Sequence, residues 1–183
     1  MKLMFMFLLL MGAVQLCAQR YATSTAKLSF FSASTLENIE AVNSQGICVI
    51  DAQTSALEFQ AMLKGFEFKK ALMQQHFNED YVESDVYPKV NFKGKIKNAP
   101  KLWTKDGEYD VTVEGQLTLH GVTKSMVAPG KISIKNGVVS ASAKFDVAAS
   151  DFNIKIPASK KNNINNTVQV NVNISSFKLL KAP

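Results

Sequence analysis

The stretch VTVEGQLTLHGVTK, Val111 to Lys124, decides how the chain folds. Val111, Val113, Gly115, Leu117 and Leu119 take every second position, with polar residues between them, and the run then breaks at His120-Gly121. Strict alternation marks a strand that buries one face and wets the other. Glycine after the histidine permits a sharp reversal. The first expectation is therefore a long strand ending in a tight corner. The chain has only two histidines, so whether His120 is a chemical group or that corner bears on whether the protein is an enzyme.

The same alternation recurs outward from this run. It is found at Leu28 and Phe30, at Leu57, Phe59, Ala61 and Leu63, and at Val90, Phe92, Gly94 and Ile96. It returns at Ile132 and Ile134, from Val139 to Val147, and from Val168 to Ile174. Asp106-Gly107 and Asn136-Gly137 are pairs that tolerate positive φ and close hairpins, and Asn98-Ala99-Pro100 is a further break. Many half-buried strands joined by polar turns predict an antiparallel barrel or sandwich. One segment differs. KALMQQHFNEDYV, Lys70 to Val82, lacks alternation, and its Leu72, Met73, Phe77 and Tyr81 can share one broad helical face. A short helix across a barrel end is expected there, with Pro88 marking the return to strand. Lys160 to Asn166 reads as a polar loop joining the last two strands. The whole is one domain, residues 19–183.

The start of the chain reads as a secretory leader. Met1-Lys2 is basic, Leu3 to Met11 is apolar, and small residues lead to Ala18. This is the layout of a signal peptide, with a run too short to span a bilayer. Cleavage after Ala18 is expected, giving a periplasmic or extracellular protein. Lipid anchoring at Cys17 is the alternative. Leu16 stands where such a site wants a small residue, so ordinary cleavage is preferred. Cys48, in the apolar stretch Ile47-Cys48-Val49-Ile50, would then be the only thiol, with no disulfide partner. It is read as a small buried hydrophobe.

The net charge is +6, from 21 Lys and Arg against 15 Asp and Glu. The lysines are dispersed and are not interleaved with aromatics, so no nucleic-acid surface is expected. The charge suits solubility and a transient contact with anionic lipid headgroups. No metal-ligand spacing, phosphate-binding glycine loop or nucleophile elbow occurs. His76 lies beside Glu79, Asp80, Glu83 and Asp85, a cluster that could do acid–base work. It reads more simply as a solvated helix end and loop. His120 reads as a structural corner whose ring bonds the local backbone. No catalytic residue and no metal site are expected.

The opening motif also carries a resemblance. VEGQLTLHGVTKSM, Val113 to Met126, resembles the hallmark of the YceI-like family through Gly115, Leu117, Thr118, His120, Gly121, Val122, Thr123 and Lys124. Tyr87, Pro88 and Phe92 resemble that family's Y-P strand. Ser150-Asp151-Phe152-Asn153-Ile154 resembles its later turn. The likeness runs in order from Tyr21 to Leu180. The family's R-D-x-H-L segment is here Met73-Gln74-Gln75-His76-Phe77. The resemblance implies a lipocalin-like antiparallel barrel of about eight strands with one short helix. It also implies a binding protein, not an enzyme, that holds a polyisoprenoid or similar lipid, including quinone tails in some members. No other cofactor is expected, and a homodimer stays open.

On that reading the channel wall is Phe59, Phe77, Phe92, Val113, Leu117, Leu119 and Phe145. Room would come from the small inward residues Gly94, Gly115, Ala141 and Ala143, and Phe77 and Tyr81 would cover one end. Periodicity alone favours a filled core, and hence a structural envelope barrel with no ligand; the resemblance reverses that preference.

Overall fold

Two corners adopt the left-handed backbone that their sequences suit, whereas Asp106-Gly107 closes no hairpin and Gly107 is extended at φ 159°. His120 and Gly121 have φ of 49° and 71°, and Asn136 and Gly137 have 51° and 76°. Two successive residues of positive φ make a turn whose twist matches the strands it joins. The computed structural model describes residues 19–33, 38–157 and 165–180. The expected leader with Cys17, and loop residues 160–164, lie outside the described residues.

The strands are β1 (Arg20–Ser32), β2 (Ile39–Asp51), β3 (Ala56–Met62), β4 (Glu67–Phe68), β5 (Lys89–Lys97), β6 (Gly107–Leu119), β7 (Val122–Lys135), β8 (Val138–Ala148), β9 (Thr167–Ile174) and β10 (Lys178–Leu180). Neighbours run in the order β1-β9-β8-β7-β6-β5-β3-β2, and β2 pairs back onto β1 from Arg20↔Asp51 to Ser32↔Ile39. The result is a closed, eight-stranded antiparallel barrel. The two short strands extend the ring, β10 beside β1 at Arg20–Ala22 where β9 has ended and β4 beside β2 at Ala41–Val42 where β3 has ended. Helix α1 (Ala71–His76) continues into a wider turn at Phe77–Tyr81, where Val82 N–H bonds Phe77 O five residues back.

One barrel end is plugged. Tyr21 stacks on Trp103, which follows β5, with ring centroids 5.2 Å apart. Ile134, Val139 and Phe177 pack into the same buried cluster. Burial raises the Tyr21 phenol above its usual range. At the other end lie α1, the corner at His120, and the short 3-10 turn Ala149–Phe152 that follows β8.

The structure extends and corrects several expectations. β2 spans Ile39–Asp51, where the sequence marked only the apolar stretch Ile47–Ile50. Asn43 interrupts the pattern, yet it is buried. Its Nδ2 donates to Met62 O at 2.8 Å and its Oδ1 accepts from Gln45 N–H at 2.8 Å. β7 begins at Val122, far before Ile132, because exposed Lys124 and Ser125 hide its period. Leu72 does not share the buried helical face. It is 62% exposed, because it sits one residue, about 100° of helical rotation, before Met73. Met73 itself faces inward with Phe77 and Tyr81.

Candidate functional site: an apolar cavity with a fastened rim

The barrel is not filled. A cavity of about 790 Å³ runs from the helix end down to Ile50, Ile96, Val111 and Ile132 above the Tyr21–Trp103 plug. A barrel of eight strands is just wide enough for such a space. All seven residues expected on the wall line it: Phe59, Phe77, Phe92, Val113, Leu117, Leu119 and Phe145. They reach it from β3, β5, β6, β8 and the turn after α1, because the inward face of each strand repeats every second residue. Ala141 and Ala143 also line it.

Gly94 and Gly115 do not supply the room expected of them. They face each other across β5 and β6, and Phe92 Cζ would lie 2.7 Å from a Cβ on either. The phenyl ring already occupies the space above the pair. Ala141, Ala143 and Val111 line the cavity, whereas neither glycine does.

Sequence reading missed the aromatic box at the helix end. Phe30, Phe66, Phe68 and Phe77 meet there, with Phe77 5.1 Å from Phe68, 5.6 Å from Phe30 and 5.7 Å from Phe66 between ring centroids. Each such pair adds about 0.5–1.5 kcal/mol beyond its buried area. The alternation of Phe66 and Phe68 was the available signal. It was hidden because β4 is only two residues long and follows a 3-10 turn at Leu63–Gly65.

Polar groups gather at this same end. Ser32, His76, Asp80 and Asn165 border the cavity there. His76 Nδ1 is 2.6 Å from Asp80 Oδ2. Asp80 and burial together raise the Tyr81 phenol, burial being the larger cause. The acidic cluster is dispersed among separate partners: Glu79 with Gln75, Asp80 with His76, Glu83 with His120, and Asp85 with Lys64. Among the described residues no three His, Cys, Asp or Glu side chains come together as a metal site. Cys48 lines the cavity, and burial pushes its thiol up to about 12.

His120 is a corner, but its ring reaches far beyond the local backbone. Nδ1 donates to Phe152 O at 3.0 Å, and Nε2 lies 2.7 Å from Glu83 Oε2. With Nδ1 donating to a carbonyl, the second contact needs a proton shared between Nε2 and the carboxylate. Tyr87 packs edge-on against the imidazole at 4.5 Å, and a Cβ on Gly121 would come within 2.7 Å of the Tyr87 ring. His120 does not line the cavity while His76 does, so the two histidines do not share a site.

The YceI-like domain family matches residues 20–176 of the chain. The chain belongs to that family. Solved structures share its fold at low identity. A polyisoprenoid-binding domain from Saccharophagus degradans, implicated in plant cell wall breakdown, is 14% identical with a TM-score of 0.70 over 91% of this chain and 99% of that one. BcnA from Burkholderia cenocepacia is 16% identical with a TM-score of 0.66, over 81% and 94%. The YceI protein of Campylobacter jejuni is 16% identical with a TM-score of 0.62, over 82% and 90%. No curated protein sequence matches the chain.

Proposed function

We propose that this YceI-like protein is an exported carrier that holds a polyisoprenoid, or the prenyl tail of a quinone, inside the barrel. The supporting observation is the cavity itself: about 790 Å³, walled by aliphatic and aromatic side chains, closed below and bordered by polar groups above. If each carbon takes about the room of a water molecule, ~30 Å³, the space accepts about 25 carbons, or some five isoprene units. Each buried methylene contributes about 0.8 kcal/mol, so one unit is worth roughly 4 kcal/mol gross. Ordering and immobilisation costs consume much of that sum. Several units still suffice without a polar anchor, so selection is by shape and length. Phe59, Phe77, Phe92, Val113, Leu117, Leu119 and Phe145 are the contacts assigned to the chain, and the polar border is where a headgroup rests.

Delivery in the periplasm or outside the cell, with transient contact at an anionic membrane surface, completes the reading. The net positive charge and the expected leader support it. Native mass spectrometry on protein exported by its own leader, followed by organic extraction, tests the function. A bound species of discrete mass that extracts as a prenyl lipid is the expected result. A clean lipid-free mass, with no uptake of added long-chain prenols, would replace the carrier with a barrel that is empty by construction.

A further inference from the structure

The barrel wall is incomplete on one side. β7 and β8 pair only from Lys135↔Val138 to Gly130↔Ala143. β7 nevertheless continues back to Val122, paired with β6 throughout, and β8 runs on to Ala148, paired with β9. Pro129 accounts for the break. The two-residue loop Asn136-Gly137 makes Lys135 and Val138 a mutually bonded pair. Every second pair then bonds likewise: Ser133 with Ser140, and Lys131 with Ser142. The next in that series is Pro129 with Lys144, and proline has no N–H to give. The ladder ends at this point.

A second observation shows that the cavity reaches this seam. Lys131 and Ser142 lie on the outer face of the sheet, since their neighbours Ile132, Ala141 and Ala143 face inward. Lys131 reaches out to exposed Glu108 at 3.0 Å. Both residues nonetheless line the cavity. An intact wall would separate outward residues from the interior, so the cavity opens beside the last bonded pair. Met126, Ala128 and Phe145 line it along the unpaired stretch, and on the outside Val127 is 66% exposed.

We propose that the seam between β7 and β8, beginning at Pro129 and Lys144, is a lateral portal through which the apolar chain passes into and out of the barrel. This rests on the carrier reading and adds the route to it. A side slit lets a flexible chain leave segment by segment toward a membrane. It does not require the Phe30–Phe66–Phe68–Phe77 box at the helix end to come apart. The slit's inner edge is apolar, and no ion pair joins its two lips.

Two measurements test the portal. Hydrogen exchange reads the seam without ligand. The amides of Ser125, Val127, Lys144 and Asp146 point into it and should exchange fast. Those of Met126, Ala128, Phe145 and Val147 point to intact neighbours and should be protected. Seam amides as slow as their alternates would overturn the proposal. The second measurement is release of a C20 prenyl alcohol to phosphatidylcholine vesicles. Pro129→Thr restores the missing donor. It should protect Lys144 and Asp146 and slow release about fivefold, the factor that one net hydrogen bond of about 1 kcal/mol provides.

A Val127→Cys/Asp146→Cys pair joined by a short bis-maleimide closes the seam whatever the threonine does, and should slow release further. The same tether between Ser133→Cys and Ser140→Cys, where the ladder is already closed, should change nothing. Unchanged release from the Val127–Asp146 tethered protein would move the route to the helix end. Wild-type protein that takes up no prenol at equilibrium removes the carrier reading, and the portal with it, whatever the amides do.

Discussion

Filling the cavity should strengthen the protein and weaken the ligand together. Ala141 on β8 is the place to do it. It faces inward opposite Ile132 and Ile174, and it lines the deep part of the cavity. Ala141→Leu adds three carbons. At about 0.8 kcal/mol per buried methylene, the lipid-free fold gains up to about 2 kcal/mol. The same carbons take about 90 Å³, at ~30 Å³ each, from the room for the chain. A prenyl tail that fills the cavity then loses a similar area of contact. About 2 kcal/mol corresponds to roughly 30-fold weaker binding.

Urea denaturation of delipidated protein reads the first quantity, and titration with a C20 or C25 prenol reads the second. The opposite signs are the test. In a filled core the added carbons overpack and cost about 1–3 kcal/mol. A fall in stability would therefore sink the claim of open space beside Ala141. A gain in stability with unchanged affinity would mean that the chain stops short of the cavity floor.

Other perturbations bear on the rim and walls. His120→Asn keeps a residue that tolerates positive φ but loses both long hydrogen bonds, and should cost about 1–3 kcal/mol in urea. His120→Ala should cost about 1 kcal/mol more, because alanine resists the left-handed backbone. Cys48, with its thiol raised to about 12, should stay silent to iodoacetamide at pH 8 in folded protein starting at Gln19 and react only in denaturant; labelling of the native state would show the cavity wall opening. Asp51 accepts backbone N–H bonds from Thr54 and Gln53, and these, Thr54 first, with Arg20 contributing, lower its carboxyl below 3.8. Its contribution is complete above that unfolded value and is lost as pH falls through the folded one. Asp51→Asn should therefore flatten the acid limb of stability below about pH 4, measured as the urea midpoint against pH.

The sequence announced its strands wherever one face alternates without interruption. β5, β6 and β8 are of this kind, and their inward residues are the cavity wall. Legibility failed where a local polar contact replaces apolar burial. Buried Asn43 fastens β2 to Met62 O and so breaks the apolar alternation that would mark the strand. Exposed Lys124 and Ser125 mask half of β7. The cavity was beyond periodicity altogether, because an inward Phe92 looks the same over a packed core as beside open space. Only three-dimensional packing reveals that its ring covers Gly94 and Gly115 while the space beside Ala141 stays open. The missing β7–β8 pairs were half visible. Pro129 in a strand signals a broken ladder, but the hairpin register that places it opposite Lys144 comes from the fold.

The three motif fragments that carry the family resemblance meet at one residue, and that residue does not line the cavity. Tyr87 of the Tyr-Pro fragment packs on His120. Phe152 of the later turn accepts from its Nδ1, and Glu83, just before the Tyr-Pro fragment, holds its Nε2. The motif thus ties three connections at one barrel end: the stretch from α1 to β5, the β6–β7 corner, and the turn after β8. Such a knot, with the buried ring of Phe152, fastens the rim of the hollow barrel. The same stretch therefore does two things: His120 fastens the rim, while Val113, Leu117 and Leu119 just before it line the cavity.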